Sequence, residues 1–148
     1  MKYLTGIILL GVMTVVTACN YIPFSGGTLT GKITAPPNDW TQVAQVEIVQ
    51  LETQPADPYS VNLWVIGAGP KLYVFAGDNR SAWIEHIEVD PSVRLQIGEA
   101  IYLLTAQRVS DATEFEAFAQ AWDIKYGNRP GNENVAETYL MRLTPQVE

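Results

Sequence analysis

Alternation of apolar and polar residues with a period of two runs through most of this chain, and it confines the fold to one built on a sheet. Tyr59, Val61, Leu63 and Val65 alternate with Ser60, Asn62, Trp64 and Ile66, which sends the two sets to opposite faces of a strand. Leu72, Val74 and Ala76 oppose Tyr73 and Phe75 in the same way. The stretch 93–97, a tight turn at Gly98-Glu99, and the stretch 100–109 read as a hairpin. Residues 28–33, 43–51 and 137–143 alternate more weakly. Gly67-Ala68-Gly69-Pro70 reads as a four-residue loop joining the strands on either side. The period changes twice. Trp83, Ile84 and Ile87 fall at helical spacing behind Ser81, a residue suited to a helix N-cap. Phe115, Phe118, Ala119 and Trp122 share a helix face behind Ser110 or Asp111, with Glu114 placed for a capping box and Gly127 for the stop. Six or seven short strands with two short helices predict a mainly β domain closed into a small barrel, because closure protects strand edges.

The chain has one cysteine, Cys19, and it ends the run Val16-Thr17-Ala18-Cys19 behind a short apolar segment. Residues 1–18 have a positive start at Lys2, an apolar stretch from Leu4 to Val16 and small residues before the cysteine, the anatomy of an export signal. The apolar run falls short of the roughly 20 residues a spanning helix needs. The order V-T-A-C resembles a bacterial lipoprotein signal, with Cys19 the lipid acceptor and residues 19–27 a short tether to a single domain over residues 28–148. Palmitate and diacylglycerol chains on Cys19 would hold the protein stably, since anchoring takes at least two chains. Asn20 rather than Asp after the cysteine points to the outer membrane, with the domain on its periplasmic face in the cell envelope. An ordinary secretory signal, or an N-terminal anchor, that happens to contain a cysteine is the alternative.

Once Cys19 is acylated, no thiol remains for disulfides or metal, and the single histidine, His86, argues against a zinc site. Removal of residues 1–18 takes one base and no acid, leaving 8 bases against 16 acids and a charge of about −8. That balance argues against nonspecific contact with nucleic acid or anionic head groups. No Gly-rich phosphate loop or nucleophile elbow is present.

The stretch Trp83-Ile84-Glu85-His86-Ile87, followed by Asp90-Pro91-Ser92-Val93 and the strand to Gly98, resembles the split-barrel flavin-binding superfamily, and within it the branch of the deazaflavin-dependent nitroreductases. Ala106-x-Arg108-Val109 and a helix ending Lys125-Tyr126-Gly127 resemble an uncharacterised family of the same fold. The likeness covers roughly residues 46–143. It implies a split β-barrel that forms a homodimer, with FMN or a deazaflavin in the groove between subunits. It further implies cofactor contacts from Lys71, Asn79, Arg80 and Ser81, with Trp83 flanking the ring. The chain departs from the nitroreductase pattern after its first long strand, where Glu52-Thr53-Gln54-Pro55-Ala56-Asp57-Pro58 replaces a basic run. Carboxylates beside a phosphate cost affinity.

Each candidate also has a plainer role. Arg80 reads first as a solvated loop residue, Trp83 as a core anchor, and Phe115, Phe118 and Trp122 as a packing stripe. Nothing pairs His86 with a nucleophile, and no catalytic residue is assigned. The leading expectation is a non-enzymatic ligand-binding or envelope-interaction module on the barrel scaffold. The alternative is a flavin- or deazaflavin-dependent reductase.

Overall fold

The computed structural model describes residues 26–147; the signal segment, Cys19 and the tether as far as residue 25 lie outside the described residues. The strands are β1 (Lys32–Ile33), β2 (Ile48–Thr53), β3 (Tyr59–Ala68), β4 (Lys71–Phe75), β5 (Ser92–Ile97), β6 (Ala100–Arg108) and β7 (Leu140–Pro145). The helices are α1 (Ala82–Val89) and α2 (Ala112–Tyr126). The sheet runs β1-β6-β5-β2-β3-β4-β7, and β7 pairs back onto β6. Six strands therefore close a barrel, and β1 adds to it in parallel, Lys32 opposite Ala100 and Ile33 opposite Ile101. Along one edge of β6, β1 occupies the start and β7 the second half, from Leu104 opposite Pro145 to Arg108 opposite Met141.

One parity of each strand fills the barrel: Val49 and Leu51, Val65, Leu72 and Val74, Val93 and Leu95, Leu104 and Ala106, Met141 and Leu143. Both ends are plugged by tryptophan. Trp83, Ile84 and Ile87 of α1 enter the core at one end, where Thr53 Oγ1 and His86 Nδ1 lie 2.9 Å apart. At the other end Trp40 packs edge-on to Tyr102, with ring centroids 5.0 Å apart, and Ala44 follows it. The opposite parity of β3, β4 and β7 is also apolar because α2 covers it. Phe115, Phe118, Ala119 and Trp122 pack on Ile66, Tyr73, Phe75 and Leu140. Asp111 Oδ1 accepts the Glu114 N–H at 2.7 Å, a cap worth about 1 kcal/mol, and Gly127 ends the helix at φ +78°.

The expected elements form, with shifts at several ends, and the last strand covers Leu140–Pro145 rather than 137–143. Residues 43–45 make a single 3₁₀ turn rather than strand, since the chain bends there to seat Trp40 and Ala44 in the barrel mouth. Residues 28–31 cross the sheet instead of joining it, and only Lys32–Ile33 pairs. The β3–β4 turn is two residues, Gly69-Pro70, because Ala68 pairs with Lys71 and Gly67 with Leu72. Gly69, at φ +57°, takes the first central position that a two-residue hairpin reserves for glycine. Gly67 is a strand residue whose missing side chain admits the plug: a Cβ there would stand 2.5 Å from the Trp40 carbonyl oxygen and 2.7 Å from the Ala44 Cβ. Neither neighbour is a flexible side-chain tip. Gly67→Ala is accordingly expected to destabilise the fold by about 3 kcal/mol. Urea titration checks this, and an unchanged midpoint would show that the plug is not tightly seated.

Candidate functional site

Five residues carried the expected cofactor contacts, and the structure does not gather them. Lys71 begins β4 on the outer face, its ammonium 3.6 Å from Glu114 on α2. Asn79 and Arg80 lie beyond the far end of the same strand, more than about 13 Å along it at 3.3 Å per residue. Arg80 donates to Glu85 at 2.8 Å and to Glu88, so its guanidinium is turned onto the flank of α1. Ser81 is the N-cap of α1, and its Oγ is buried without a hydrogen-bond partner among the described residues. Trp83 is 3 % exposed inside the barrel. No phosphate cradle results. The two cations are separated and held by carboxylates, and the ring meant to flank a flavin faces the core. Within a single chain, these residues do not converge on one point where a flavin phosphate could be held.

The acidic stretch is a structural feature as well. Glu52 is 3 % exposed on β2, opposite Arg94 of β5. Its carboxylate accepts from Arg94 Nη1 at 3.0 and 3.2 Å and from the Leu29 N–H at 2.6 Å. That last bond belongs to a strap that crosses the outer face of four strands. Gly26 donates to Ser60 on β3, Leu29 to Glu52 on β2, and Gln96 on β5 donates to the Thr30 carbonyl at 2.9 Å. The strap then joins β6 as β1. Gln54, next after this pair, holds a left-handed backbone at φ +57°.

Between the strap and the sheet lies an open groove of about 730 Å³. The strap supplies Thr30, Gly31 and Lys32; β2 supplies Ile48 and Gln50; the β5–β6 turn supplies Gln96 and Glu99. Gln50 sits directly between Asn62 and Gln96 in the register, so three amides form a row across the face. Gln96 Nε2 already donates to the Thr30 and Gly98 carbonyls, and the charged groups the groove presents are one ammonium, Lys32, and one carboxylate, Glu99. Lys32 is the one base whose side chain makes no ion pair or hydrogen bond among the described residues. Sequence reasoning missed the groove because it needs the strap. The polar parity of β2, β3 and β5 was its only signal.

The remaining cations are spent on structure. Lys125 at the end of α2 donates to the carbonyls of Ala44, Val46 and Val65 at 2.6–2.8 Å. It thereby closes the gap where β2 has not yet begun to pair with β3, and burial holds its ammonium pKa below the usual range. Arg129 bridges Glu116 and Glu133. Among the described residues no group of three or more His, Cys, Asp or Glu is placed to hold a metal, and no helix is long and apolar enough to cross a membrane.

No family model matches this chain, and no curated protein matches it in sequence. Solved structures do. A provisionally assigned pyridoxamine 5′-phosphate oxidase from Listeria innocua aligns with TM-score 0.56 at 16 % identity, over 71 % of this chain and 88 % of that one. A FAD-binding protein from Mesorhizobium loti aligns with TM-score 0.53 at 16 % identity, over 71 % and 83 %. An F420 reductase aligns with TM-score 0.53 at 16 % identity, over 76 % and 96 %. At these identities the likeness is one of fold: the barrel is the split barrel of the flavin-binding proteins.

Lys71's partner, Glu114, also accepts from the Tyr73 hydroxyl at 2.8 Å and from Arg142 Nη1 at 2.7 and 2.8 Å. Burial raises the Glu114 pKa, but these hydrogen bonds outweigh it, and the carboxyl titrates below its usual 4.5. Below about pH 4.5 the unfolded chain then binds a proton that the folded chain resists, so this part of the stability is lost as pH falls. Glu114→Gln is expected to flatten the acid limb of stability against pH, read by urea unfolding between about pH 6 and pH 3. An acid limb as steep as that of the unsubstituted chain would show that the Glu114 cluster is not its source.

Proposed function

We propose that this chain is a lipid-anchored, non-enzymatic binding module of the bacterial envelope, which holds a small polar ligand in the groove between the strap and the outer face of β2 and β5. The observation that carries this reading is the fate of the charges. The basic side chains that would grip a flavin phosphate are engaged by Glu85, Glu88 and Glu114. The sheet face itself is crossed by the chain's own residues 26–33. What remains open is a groove with Lys32 and Glu99 at its edge, suited to a small polar ligand with at most one anionic group. The reductase reading draws on the flavin- and F420-binding neighbours of the same fold. It is weaker because fold carries many functions and the site decides among them.

The lipid anchor follows from the V-T-A-C run. Cys19→Ser is expected to remove the acyl mass from the purified protein and to leave the signal segment uncleaved. Intact-mass measurement reads both, and an unaltered mass pattern would remove the anchor from this proposal. The cofactor half is tested separately by the absorbance spectrum of the full chain in non-ionic detergent, with and without added FMN or deazaflavin. A colourless protein without flavin affinity is expected. A bound yellow chromophore, or micromolar affinity abolished by Arg80→Ala, would replace the module by a reductase.

A further inference from the structure

A second concavity, sharing no residue with the groove, is lined by aromatic rings. It is a pocket of about 320 Å³ among Trp64, Phe75, Trp122, Asn128, Arg129 and neighbouring backbone, where the β3–β4 face meets the loop after α2. The rings do not stack flat. Trp64 and Trp122 lie 5.3 Å apart at 59°, and Phe75 and Trp122 lie 5.5 Å apart at 76°. They form a corner, with Trp122 common to both contacts. Trp64 is 50 % exposed, an unusual position for an indole that has two aromatic neighbours to pack on.

Ring faces carry the negative lobe of the aromatic quadrupole and attract cations. The protein already sets a cation beside this cluster, with Lys125 Nζ 5.0 Å from the centroid of Tyr126, whose ring is tilted against Trp64 and Trp122. The one cation lining the pocket, Arg129, is neutralised. Glu116 and Glu133 both bind its guanidinium, and Lys125 beside Tyr126 brings the local balance to zero. Both cations are already engaged, by the carboxylates and by backbone carbonyls, so neither is free to meet an anionic ligand. The ring faces favour an apolar cation. Asn128 stands at the edge with a side chain that makes no hydrogen bond among the described residues. Its carbonyl oxygen is open to a ligand hydroxyl.

We infer that this aromatic corner is a binding site for a small quaternary or methylated ammonium group of the choline type. The site is independent of the groove and of the lipid anchor. Binding of choline to the full chain in non-ionic detergent, followed by indole fluorescence and calorimetry, is expected with a Kd on the order of 1 mM. Its uncharged isostere, 3,3-dimethylbutan-1-ol, has the same shape without the charge and is expected to bind at least about 10-fold more weakly. Trp64→Ala is expected to weaken choline by a similar factor, and Trp64→Phe, which keeps a ring face, to restore part of the loss. Equal binding of choline and the isostere would overturn the inference in favour of a plain apolar pocket. So would the lack of saturable binding below about 50 mM, a range that cation–π contacts of this number must reach. Because the isostere comparison uses the unsubstituted chain, it decides the matter even if Trp64→Ala fails to fold. Competition with phosphatidylcholine or phosphatidylglycerol vesicles identifies the source. Displacement of choline by the first alone assigns a lipid headgroup, and displacement by neither assigns a free cation.

Discussion

The pairing of β7 with both β4 and β6 is the contact on which the other arrangements depend. It closes the sheet, and closure gives every strand of the barrel an inner face that must be filled. The inner parity is filled by branched and aromatic residues, and the open ends demand plugs, which Trp83 and Trp40 supply. Closure also decides where α2 goes. The outer faces of β3, β4 and β7 carry Ile66, Tyr73, Phe75 and Leu140, an apolar surface that only a helix with Phe115, Phe118 and Trp122 on one side can cover. What α2 leaves uncovered is the outer face of β2, β5 and the first part of β3, where Gln50, Glu52, Ser60, Asn62, Arg94 and Gln96 lie and the strap crosses. The site is thus defined by subtraction.

Most of this was legible in the alternation. Both parities of β4 are apolar, and the spacing of Phe115, Phe118 and Trp122 announced the helix that covers one of them. Trp83 read as either core or cofactor contact, and the barrel end resolved it as core. Gly67 was misread as part of a turn because a glycine is silent about why it lacks a side chain. Its reason, the Trp40 carbonyl, is 27 residues away in sequence. Glu52 read as the start of an acidic loop, since Arg94 and Leu29, which bury it, are equally remote. Position in the chain identified residue types. Long-range partners assigned their roles.

Electrostatics shows the same division. An acidic chain with few bases uses nearly all of them as ties. Arg94 holds Glu52, Arg142 holds Glu114, and Arg108 donates to the carbonyls of Ala136 and Thr138 while lying 4.4 Å over the Tyr139 ring. Exposed pairs such as Arg80 with Glu85 add little to stability, but they still remove a cation from the pool that could meet an anionic ligand. A barrel that binds a phosphorylated cofactor must keep cations free at one place. In this barrel the cation without a partner among the described residues, Lys32, sits on the strap rather than on the hairpin.

The strap joins these points. On the lipid-anchored reading, seven peptide steps separate Cys19 from Gly26, and an extended chain of that length reaches at most about 25 Å. The Ser60 end of the outer face, where the strap makes its first contact, is then held near the bilayer. The same strap continues as the wall of the groove through Thr30, Gly31 and Lys32. Its seating depends on the Leu29 N–H to a buried carboxylate, a charge-assisted bond whose loss would leave Glu52 with Arg94 alone. Wall and buried ion pair therefore form one unit. On the lipid-anchored reading, a ligand that filled the groove would bear directly on the segment that leads to the anchor, whereas one in the aromatic corner would not.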